Sequence, residues 1–571
     1  MSQNEKKDRY NVTNTAFALD TSCNMLIRML PSRDGVKIHT AIYFPEEFDN
    51  TPAPVLLIRT PYCSPDRLLL PDKRVARDKV IYIVQSCRGT GFSGGEFDPA
   101  DENIEKNDVE DLFLWLDKQP WYNGRCAMFG SSYTGWVQWC AVRTNYDGLV
   151  GISPRVAPLY ACLGGAVKGG GIRHDLVINW TLNLYHRRKY GFSNIPNYEE
   201  MGVLQHLPLS SCDQESGYET VKAYQNIIRH IDAPGKILNF HREYIPQLKV
   251  PALVSGGWFD PFKDETIESF QLVKETASTE KARNFSRLYI GPWEHAGLVN
   301  PDLFANGSQD ELLEKEELFL KRLLEEPDKD PLPEMPVVRY YMLGENKWYD
   351  ADSWPPKGVE YEKFYLHSKG CANSITGDGF LDNISPEDEL ADSYLSDPAA
   401  PTLSCGGKCN APGCYDRTPD EQRSDILVYT TAPAKEALTI AGKVEFCFHA
   451  AASTPDTDFC AVLTMVTPDN RSLFLTVGMV RARFRNSAYQ PELLVPGEIY
   501  EYVMDLSHIA VKIQPGYALR LEVCGQYFPL YGRNNNTGKL LKDDAELRVS
   551  KHTIFHDAEH PAYLNLPLLK Q

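Results

Sequence analysis

A short segment in the first third of the chain, residues 130–135, constrains the fold more than any other feature. It reads Gly-Ser-Ser-Tyr-Thr-Gly, follows the apolar run at 126–129 and leads into a second apolar segment at 136–142. A continuous apolar run, a Gly-containing turn and a further apolar segment are typical of a buried strand that turns sharply into a helix. The segment therefore predicts a strand–turn–helix unit with a serine at the turn.

Ser132 is the better nucleophile candidate of the two serines in this turn. Gly130 lies two residues before it, where a side chain would crowd the turn, whereas Phe129 lies two residues before Ser131. A turn of this kind exposes the serine hydroxyl, and the N-terminus of the following helix points amide hydrogens at a developing oxyanion. The motif departs from a strict Gly-x-Ser-x-Gly pattern, because Thr134 stands where the second glycine is expected.

The chain around this turn has the pattern of an α/β domain. Short runs rich in β-branched and other apolar residues, which predict strands, lie at 36–42, 54–58 and 80–84. Apolar residues at helical spacing predict a helix over 108–117, with Asp108 and Glu110 in its first turn. Strands that alternate with helices imply a parallel, doubly wound sheet.

The 571 residues are too many for a single core, and the pattern changes twice along them. Residues 1–155 and 246–355 carry the α/β pattern. Residues 156–245 are rich in Tyr, Asn, Arg and His and predict a helical cap inserted into that domain. Residues 356–571 consist of short alternating segments separated by turn residues, which predict a β-sandwich of the jelly-roll type.

Two later segments supply partners for a nucleophilic serine. Residues 253–260 end a buried strand-like run in a Gly-Gly turn and present Asp260, and residues 288–295 end the next run with His295. In α/β-hydrolases the serine is followed along the chain by an acidic residue and then by a histidine. The order of these motifs predicts a catalytic triad of Ser132, Asp260 and His295.

An acyl-transfer site also needs two hydrogen-bond donors for its oxyanion. The amide of Tyr133, directly after the serine, is the expected first donor. The loop after the strand at 54–58 contains Tyr62, whose hydroxyl is the candidate for the second. The residues alone leave open whether Tyr62 donates to an oxyanion or packs its ring at the base of the loop.

This chemistry requires neither a metal nor an organic cofactor, and we expect none. The cysteines of the loop at 405–414, which include Cys409, have no fourth ligand near them in the sequence. His552, His556 and His560 are spaced four residues apart, but the residues between them indicate a strand and a turn instead of a helix.

Composition bears on partners and location. The formal net charge of −18 disfavours a nucleic-acid partner. No run approaches the ~18 consecutive apolar residues of a membrane span, and the first residues lack the apolar core of a secretory signal. We therefore expect a cytoplasmic protein without a membrane partner. The sequence leaves the oligomeric state open, a homodimer included.

The motifs as a set resemble those of the cocaine esterase-like hydrolases, relatives of the α-amino-acid ester hydrolases and the X-prolyl dipeptidyl peptidases. The matching motifs lie at 33–35, 59–62, 88–97, 130–135, 257–260, 291–295 and 560–564. In this family the turn reads G-x-S-Y-x-G, which accounts for the displaced glycine. The resemblance implies an α/β-hydrolase domain with an inserted helical cap and a C-terminal jelly roll. It also implies a triad of Ser132, Asp260 and His295, with the Tyr62 hydroxyl and the Tyr133 amide as oxyanion donors.

Two positions depart from the amino-acid ester hydrolases. Those enzymes carry carboxylates two and three residues after the triad aspartate, to bind the ammonium group of the substrate, and here the positions hold Phe262 and Lys263. The resemblance therefore points away from amino-acid esters and from the release of N-terminal dipeptides. Phe262 and Trp180 of the cap are expected as walls of an acyl pocket, and Lys263 is expected to be solvated.

The predicted function is hydrolysis of a small-molecule carboxylic ester, or of an amide, through an acyl-enzyme on Ser132. An X-prolyl dipeptidyl peptidase and an acylase or acyltransferase are alternatives that use the same chemistry. A binding module whose hydrolase core is inert is the alternative from a different functional class.

Overall fold

A computed structural model shows how these motifs are arranged. It describes residues 24–45, 47–64, 79–99, 101–159, 167–192, 194–232, 244–297, 299–300, 303–405 and 413–570. Cys409, one of the cysteines of the loop at 405–414, lies outside these ranges. None of the helices within them is long and apolar enough to cross a membrane.

The first 355 residues contain alternating strands and helices. The strands described there are β1 (Asn24–Pro31), β2 (Lys37–Phe44), β3 (Ala53–Thr60), β4 (Ile81–Ser86), β5 (Tyr122–Ser131), β6 (Leu149–Arg155), β7 (Val167–Lys168), β8 (Gly171–Ile172), β9 (Leu253–Gly257), β10 (Arg287–Gly291), β11 (Val338–Met342) and β12 (Lys347–Ala351). The helices described there are α1 (Glu102–Leu116), α2 (Tyr133–Val142), α3 (His174–Tyr190), α4 (Cys212–Glu215), α5 (Lys222–Ile228), α6 (Lys263–Thr276), α7 (Glu280–Phe285) and α8 (Asp310–Glu325).

Most of these strands form one sheet, and its centre is parallel. Within the described residues the strand order is β1-β2-β4-β3-β5-β6-β9-β10-β11-β12. The pairs from β4 to β11 are parallel, whereas β1, β2 and β12 add antiparallel edges. Helix α1 packs its apolar residues on one face and α8 packs on the other. This doubly wound sheet confirms the predicted α/β-hydrolase fold, and it brings the C-terminal ends of β3, β5, β9 and β10 to one edge.

Helix α1 begins six residues before the predicted start at Asp108. Asp101 caps it by accepting a hydrogen bond from the Asn103 amide, and the acidic residues of its first turn are Glu102 and Glu105. Asp108 therefore lies inside the helix, where it is buried and bonded to Arg88. The prediction placed the start too late because the apolar periodicity begins only at 109, after a stretch whose carboxylates are buried by pairing with arginine.

The inserted region is a helical cap, as predicted. Helix α3 runs through it, and β7 pairs with β8 in a short antiparallel hairpin. The cap shares one apolar cluster with the hydrolase domain, because buried residues of α3 and α5 pack together with Trp136 and Val137 of α2. The cap is thus fixed on the helix that follows the candidate nucleophile.

The C-terminal region is built of strands. Those described are β13 (Val359–His367), β14 (Phe380–Asp382), β15 (Asp392–Ser396), β16 (Leu427–Thr431), β17 (Leu438–Ala452), β18 (Asp458–Val466), β19 (Ser472–Arg481), β20 (Tyr500–Ile513), β21 (Ala518–Cys524), β22 (Ser550–Phe555) and β23 (Tyr563–Leu569). They confirm the predicted β-sandwich. The longest of these strands, β17, is continuous over 15 residues, although its pairing register with β20 shifts between Lys443 and Glu445. His552 lies in β22 and His556 follows that strand, so the two do not share a helix face.

The sandwich is joined to the hydrolase domain by backbone hydrogen bonds. The Leu343 amide donates to the Ala510 carbonyl, and the Lys512 amide donates back to the Leu343 carbonyl. The Arg481 amide of β19 donates to the carbonyl of Gly169, between β7 and β8. The sandwich therefore contacts both the sheet and the inserted region.

Buried ion pairs hold the loops of the sandwich to its strands. Arg417 is fully buried and donates to both carboxylate oxygens of Glu522 in β21, at 3.2 and 2.7 Å.

Removing one partner of such a pair leaves a charge without compensation, at a cost of about 3–5 kcal/mol. We expect Arg417→Met to lower the free energy of unfolding by that amount in urea denaturation. The exposed pair Arg471–Asp469 supplies the control, because Arg471→Met should change it by no more than about 0.5 kcal/mol. Equal losses in the two variants would contradict the assignment.

Candidate active site

Ser132 occupies a sharp turn between β5 and α2. Its backbone dihedrals are φ 60° and ψ −128°, in a region that residues with a Cβ rarely adopt. The chain enters the turn through Gly130 at φ 141°, where a Cβ would lie only 2.8 Å from Thr134 Cβ. The Ser132 amide donates to the Arg155 carbonyl at 2.9 Å, which fixes the turn against β6. Glycine two residues before the serine is therefore required by the geometry of the turn.

Asp260 and His295 reach the serine from the ends of neighbouring strands. Asp260 follows β9, and His295 follows β10, which pairs with β9 in parallel. His295 Nδ1 lies 2.7 Å from Asp260 Oδ1, and His295 Nε2 lies 2.9 Å from Ser132 Oγ. With the proton on Nδ1, the imidazole donates to the carboxylate and accepts from the serine hydroxyl. This chain of hydrogen bonds can carry the proton of Ser132 Oγ to His295.

Two tyrosines lie next to the serine oxygen. Tyr62 follows β3, and its hydroxyl donates to Ser132 Oγ at 3.2 Å. The Tyr62 amide donates to Thr60 Oγ1 at 3.1 Å, which ties the loop to the end of the strand. Tyr133 is the first residue of α2, so its amide lies at the positive end of the helix macrodipole. A phenol and an amide can therefore donate to an anion that forms on a carbonyl attached to Ser132.

The two residues predicted as pocket walls lie beside this group. The Phe262 ring is buried and meets the His295 ring edge-on, with centroids 5.2 Å apart. Trp180 of α3 is half-buried, and its ring centroid lies 5.6 Å from that of Tyr133. One wall residue thus packs against the histidine and the other packs over the residue that follows the serine.

Lys263 is buried, so the prediction of a solvated lysine is wrong. Its ammonium donates to the Trp258 carbonyl at 2.9 Å and to Thr476 Oγ1 of β19 at 3.0 Å. The next residue, Asp264, accepts from Lys168 at 2.5 Å and from the amide of His508 in β20. The turn that carries Asp260 is therefore bonded to the sandwich. The sequence did not reveal this contact, because Lys263 and Thr476 are 213 residues apart along the chain.

Burial also changes the acidity of this lysine. It lowers the pKa of the Lys263 ammonium from 10.5 to about 8. Even a neutral amine has two N–H groups, so it can still donate to both of its oxygen partners.

Comparisons with known proteins agree with this architecture. Residues 34–297 match the family model of the X-Pro dipeptidyl-peptidases (S15 family), and residues 333–565 match the model of the X-Pro dipeptidyl-peptidase C-terminal non-catalytic domain. The chain is 30% identical to the cocaine esterase of Rhodococcus sp. (strain MB1 Bresler), over 95% of this chain and 98% of that protein.

Solved structures share the whole fold. An aminopeptidase from a marine sediment Thaumarchaeota archaeon superposes with a TM-score of 0.82 at 22% identity, covering 100% of both chains. An α-amino acid ester hydrolase labelled with selenomethionine superposes with a TM-score of 0.81 at 22% identity, covering 98% of this chain and 99% of that one. These two likenesses show that the fold is shared over the length of the chain.

The lowered pKa of Lys263 predicts a pH-dependent stability. Between pH 8 and 10.5 the unfolded chain holds the lysine proton and the folded chain does not, so stability from this group rises with pH. Relative to Lys263→Met, the wild type should gain about 2–3 kcal/mol of unfolding free energy between pH 7 and 10.5. Urea denaturation at both pH values measures the gain. Lys357→Met, at an exposed lysine, should show no such gain over this range, and an equally flat difference for Lys263→Met would contradict the prediction.

Proposed function

The chain belongs to the cocaine esterase-like serine hydrolases of the S15 family, and from this we propose that it hydrolyses small carboxylic esters through an acyl-enzyme on Ser132. The observation that carries the proposal is the continuous hydrogen-bonded chain from Asp260 through His295 to Ser132, at 2.7 and 2.9 Å. A binding module without activity has no need of a serine in a strained turn. It also has no need of a histidine that bonds to this serine and is oriented by a buried carboxylate. The geometry therefore favours catalysis over the binding-module alternative.

In the proposed first step, His295 Nε2 takes the proton of Ser132 while Oγ attacks the ester carbonyl carbon. The histidine becomes an imidazolium, which the Asp260 carboxylate stabilises through Nδ1–H. The carbonyl oxygen becomes an anion and accepts hydrogen bonds from the Tyr62 hydroxyl and the Tyr133 amide. The C–O bond then breaks, and the alcohol leaves with the proton that the imidazolium returns.

The second step repeats the first with water in place of the serine. His295 takes a proton from a water molecule, whose oxygen attacks the acyl carbon of the Ser132 ester. The same two donors bind the second oxyanion, and its collapse releases the carboxylic acid and restores the Ser132 hydroxyl. No step needs a metal or an organic cofactor.

Phe262 and Trp180 support an apolar acyl or alcohol group on the substrate. Both are aromatic, and each packs against a residue of the proposed machinery, the first against His295 and the second against Tyr133. An apolar group bound between them would be held next to Ser132 by burial of apolar surface.

An X-prolyl dipeptidyl peptidase is the second candidate, because residues 34–297 match the S15 family model. Such an enzyme needs an anion for the substrate N-terminus. The two positions after Pro261 supply none, because Phe262 is apolar and Lys263 is a cation that donates to the Trp258 carbonyl and to Thr476 of the sandwich.

We expect kcat/KM for a short-chain aryl ester to exceed that for a Gly-Pro-anilide, and the reverse order would favour the peptidase. Product analysis with an added alcohol distinguishes hydrolysis from acyl transfer.

Active-site labelling tests the nucleophile directly. We expect a fluorophosphonate to add once to the wild type, as seen by intact mass, and not to Ser132→Ala. The neighbouring serine gives a matched control, because Ser131→Ala should label at about the wild-type rate. A wild type that stays unlabelled, or a Ser132→Ala variant that still labels, would overturn the proposed mechanism.

The proposed role of Tyr62 makes a separate prediction. Tyr62→Phe keeps the ring but removes the hydroxyl that bonds Ser132 Oγ. Loss of one oxyanion donor lowers kcat by roughly 10²–10³-fold, and KM should stay within about threefold, because the donor acts mainly in the transition state. Steady-state kinetics on an aryl ester measure both values. An unchanged kcat would mean that the Tyr62 ring only packs at the base of its loop.

A further inference from the structure

We propose that Glu105, a buried carboxylate on α1, is a positioning residue that holds both oxyanion donors in place. The inference rests on the proposed function, since it assigns the two donors to Tyr62 and Tyr133. It adds a residue that touches neither the substrate nor the reacting atoms. Its effect passes through two hydrogen bonds, one to each element that carries a donor.

Each oxygen of Glu105 bonds to a different element. Oε1 accepts from the Tyr133 hydroxyl at 3.0 Å, and Oε2 accepts from Arg59 Nη2 at 2.6 Å. The carboxylate is 2% exposed and the arginine is 0% exposed. Hydrogen bonds to ions in such an environment are short, directional and little screened by solvent.

The bond to Tyr133 fixes the first turn of α2. The amide and the side chain of Tyr133 share one Cα, so a phenol bonded at its far end limits how the residue can rotate. The ring is buried and packs against Trp136 and Trp180, which restrict its movement. Glu105 fixes the remaining direction, along the axis of the ring.

The bond to Arg59 fixes the start of the loop that carries Tyr62. Arg59 is the second-last residue of β3, and Thr60 after it accepts from the Cys87 amide through its carbonyl and from the Tyr62 amide through Oγ1. Arg59 also donates to the Gln85 side chain of β4. The guanidinium thus ties α1 to the end of β3, three residues before the phenol that meets Ser132.

Two arginines compensate the two buried carboxylates of this part of α1. Arg59 pairs with Glu105, and Arg88 pairs with Asp108. Asp108, one turn further along α1, lies 3.9 Å from Arg59 and bonds to Arg88 at 2.7 Å. An apolar cluster of similar volume would often stabilise a core as well as buried ion pairs do. Apolar contacts, however, do not fix the orientation of the groups that they touch. An oxyanion hole requires donors of fixed orientation, which hydrogen bonds to Glu105 can provide.

The test is Glu105→Gln, compared with Glu110→Gln on the same helix. Glutamine keeps one acceptor for Tyr133 but turns an NH2 group towards the Arg59 guanidinium. We expect kcat for an aryl ester to fall roughly 10–100-fold, with KM within about threefold. Glu110 pairs with Arg33 and Lys106 at the surface, and Glu110→Gln should leave both constants unchanged. An unchanged kcat in Glu105→Gln would overturn the proposal.

A double-mutant cycle separates positioning from a general structural role. If Glu105 acts through Tyr62, the loss caused by Glu105→Gln must be several-fold smaller in a Tyr62→Phe background, because one donor is already gone. An equal loss in both backgrounds would overturn the proposal. Affinity for a boronic acid that mimics the tetrahedral intermediate should fall in parallel with kcat/KM, whereas affinity for the product acid should not.

The kinetics of Tyr133→Phe test the bond between Tyr133 and Glu105 without a change at Glu105 itself. If Glu105→Gln fails to fold, Tyr133→Phe removes only one of the two bonds and should still lower kcat several-fold with KM unchanged. No change in kcat there would overturn the bond to Tyr133 as a positioning contact. A wild type without fluorophosphonate labelling would instead refute the proposed function itself, so the two failures are distinguishable.

Discussion

The strained backbone of Ser132 is the constraint on which the rest of the site depends. At φ 60° the residue turns the chain from β5 into α2, and its oxygen lies 2.9 Å from His295 Nε2. Neighbouring residues come very close to this turn, since a Cβ on Gly135 would lie 2.7 Å from Ala157 Cβ and 3.1 Å from the Arg155 carbonyl oxygen. Such strain persists only where the surroundings hold it. Here the Arg155 carbonyl, the start of α2 and the buried carboxylate of Glu105 all act on this turn.

The sandwich is bonded to the site as well as packed on the sheet. Lys263 and Asp264 begin α6 directly after the turn that carries Asp260, and both bond to strands of the sandwich. Burying charged groups at such a junction costs free energy unless partners compensate, and here each charge has a partner across the boundary. The position of Asp260 is therefore set by two domains. The cap, in contrast, reaches the segment at 88–97 partly through the exposed pair Lys222–Glu96, a kind of contact that contributes little to stability.

The sequence was sufficient for the features that have local signals. Ser132, Asp260 and His295 each follow a buried strand, and parallel strands bring their C-terminal ends to one edge, so order along the chain predicts closeness in space. The position of Tyr62 in the loop after β3 makes it a candidate, but only the family resemblance assigns its hydroxyl to the oxyanion, because a tyrosine in a loop has no local pattern that separates a donor from a packed ring. Lys263 was placed wrongly because its partner Thr476 is 213 residues away. No local pattern marks Glu105, because it precedes the apolar periodicity of α1 and its burial depends on Arg59, 46 residues earlier.

The position after the nucleophile connects these layers. The Tyr133 amide lies at the start of α2, its ring packs against Trp180 of the cap, and its hydroxyl bonds to Glu105 of α1. A small residue there would still offer an amide, but it would leave the cap and the buried carboxylate without a common contact. An aromatic residue with a hydroxyl is the side chain that meets all three conditions, since it packs as an apolar ring and donates a hydrogen bond at its end. The proposed pocket wall and the proposed oxyanion donor are therefore coupled through one residue, so we expect a change at Trp180 to act on the turn as well as on the space for a substrate.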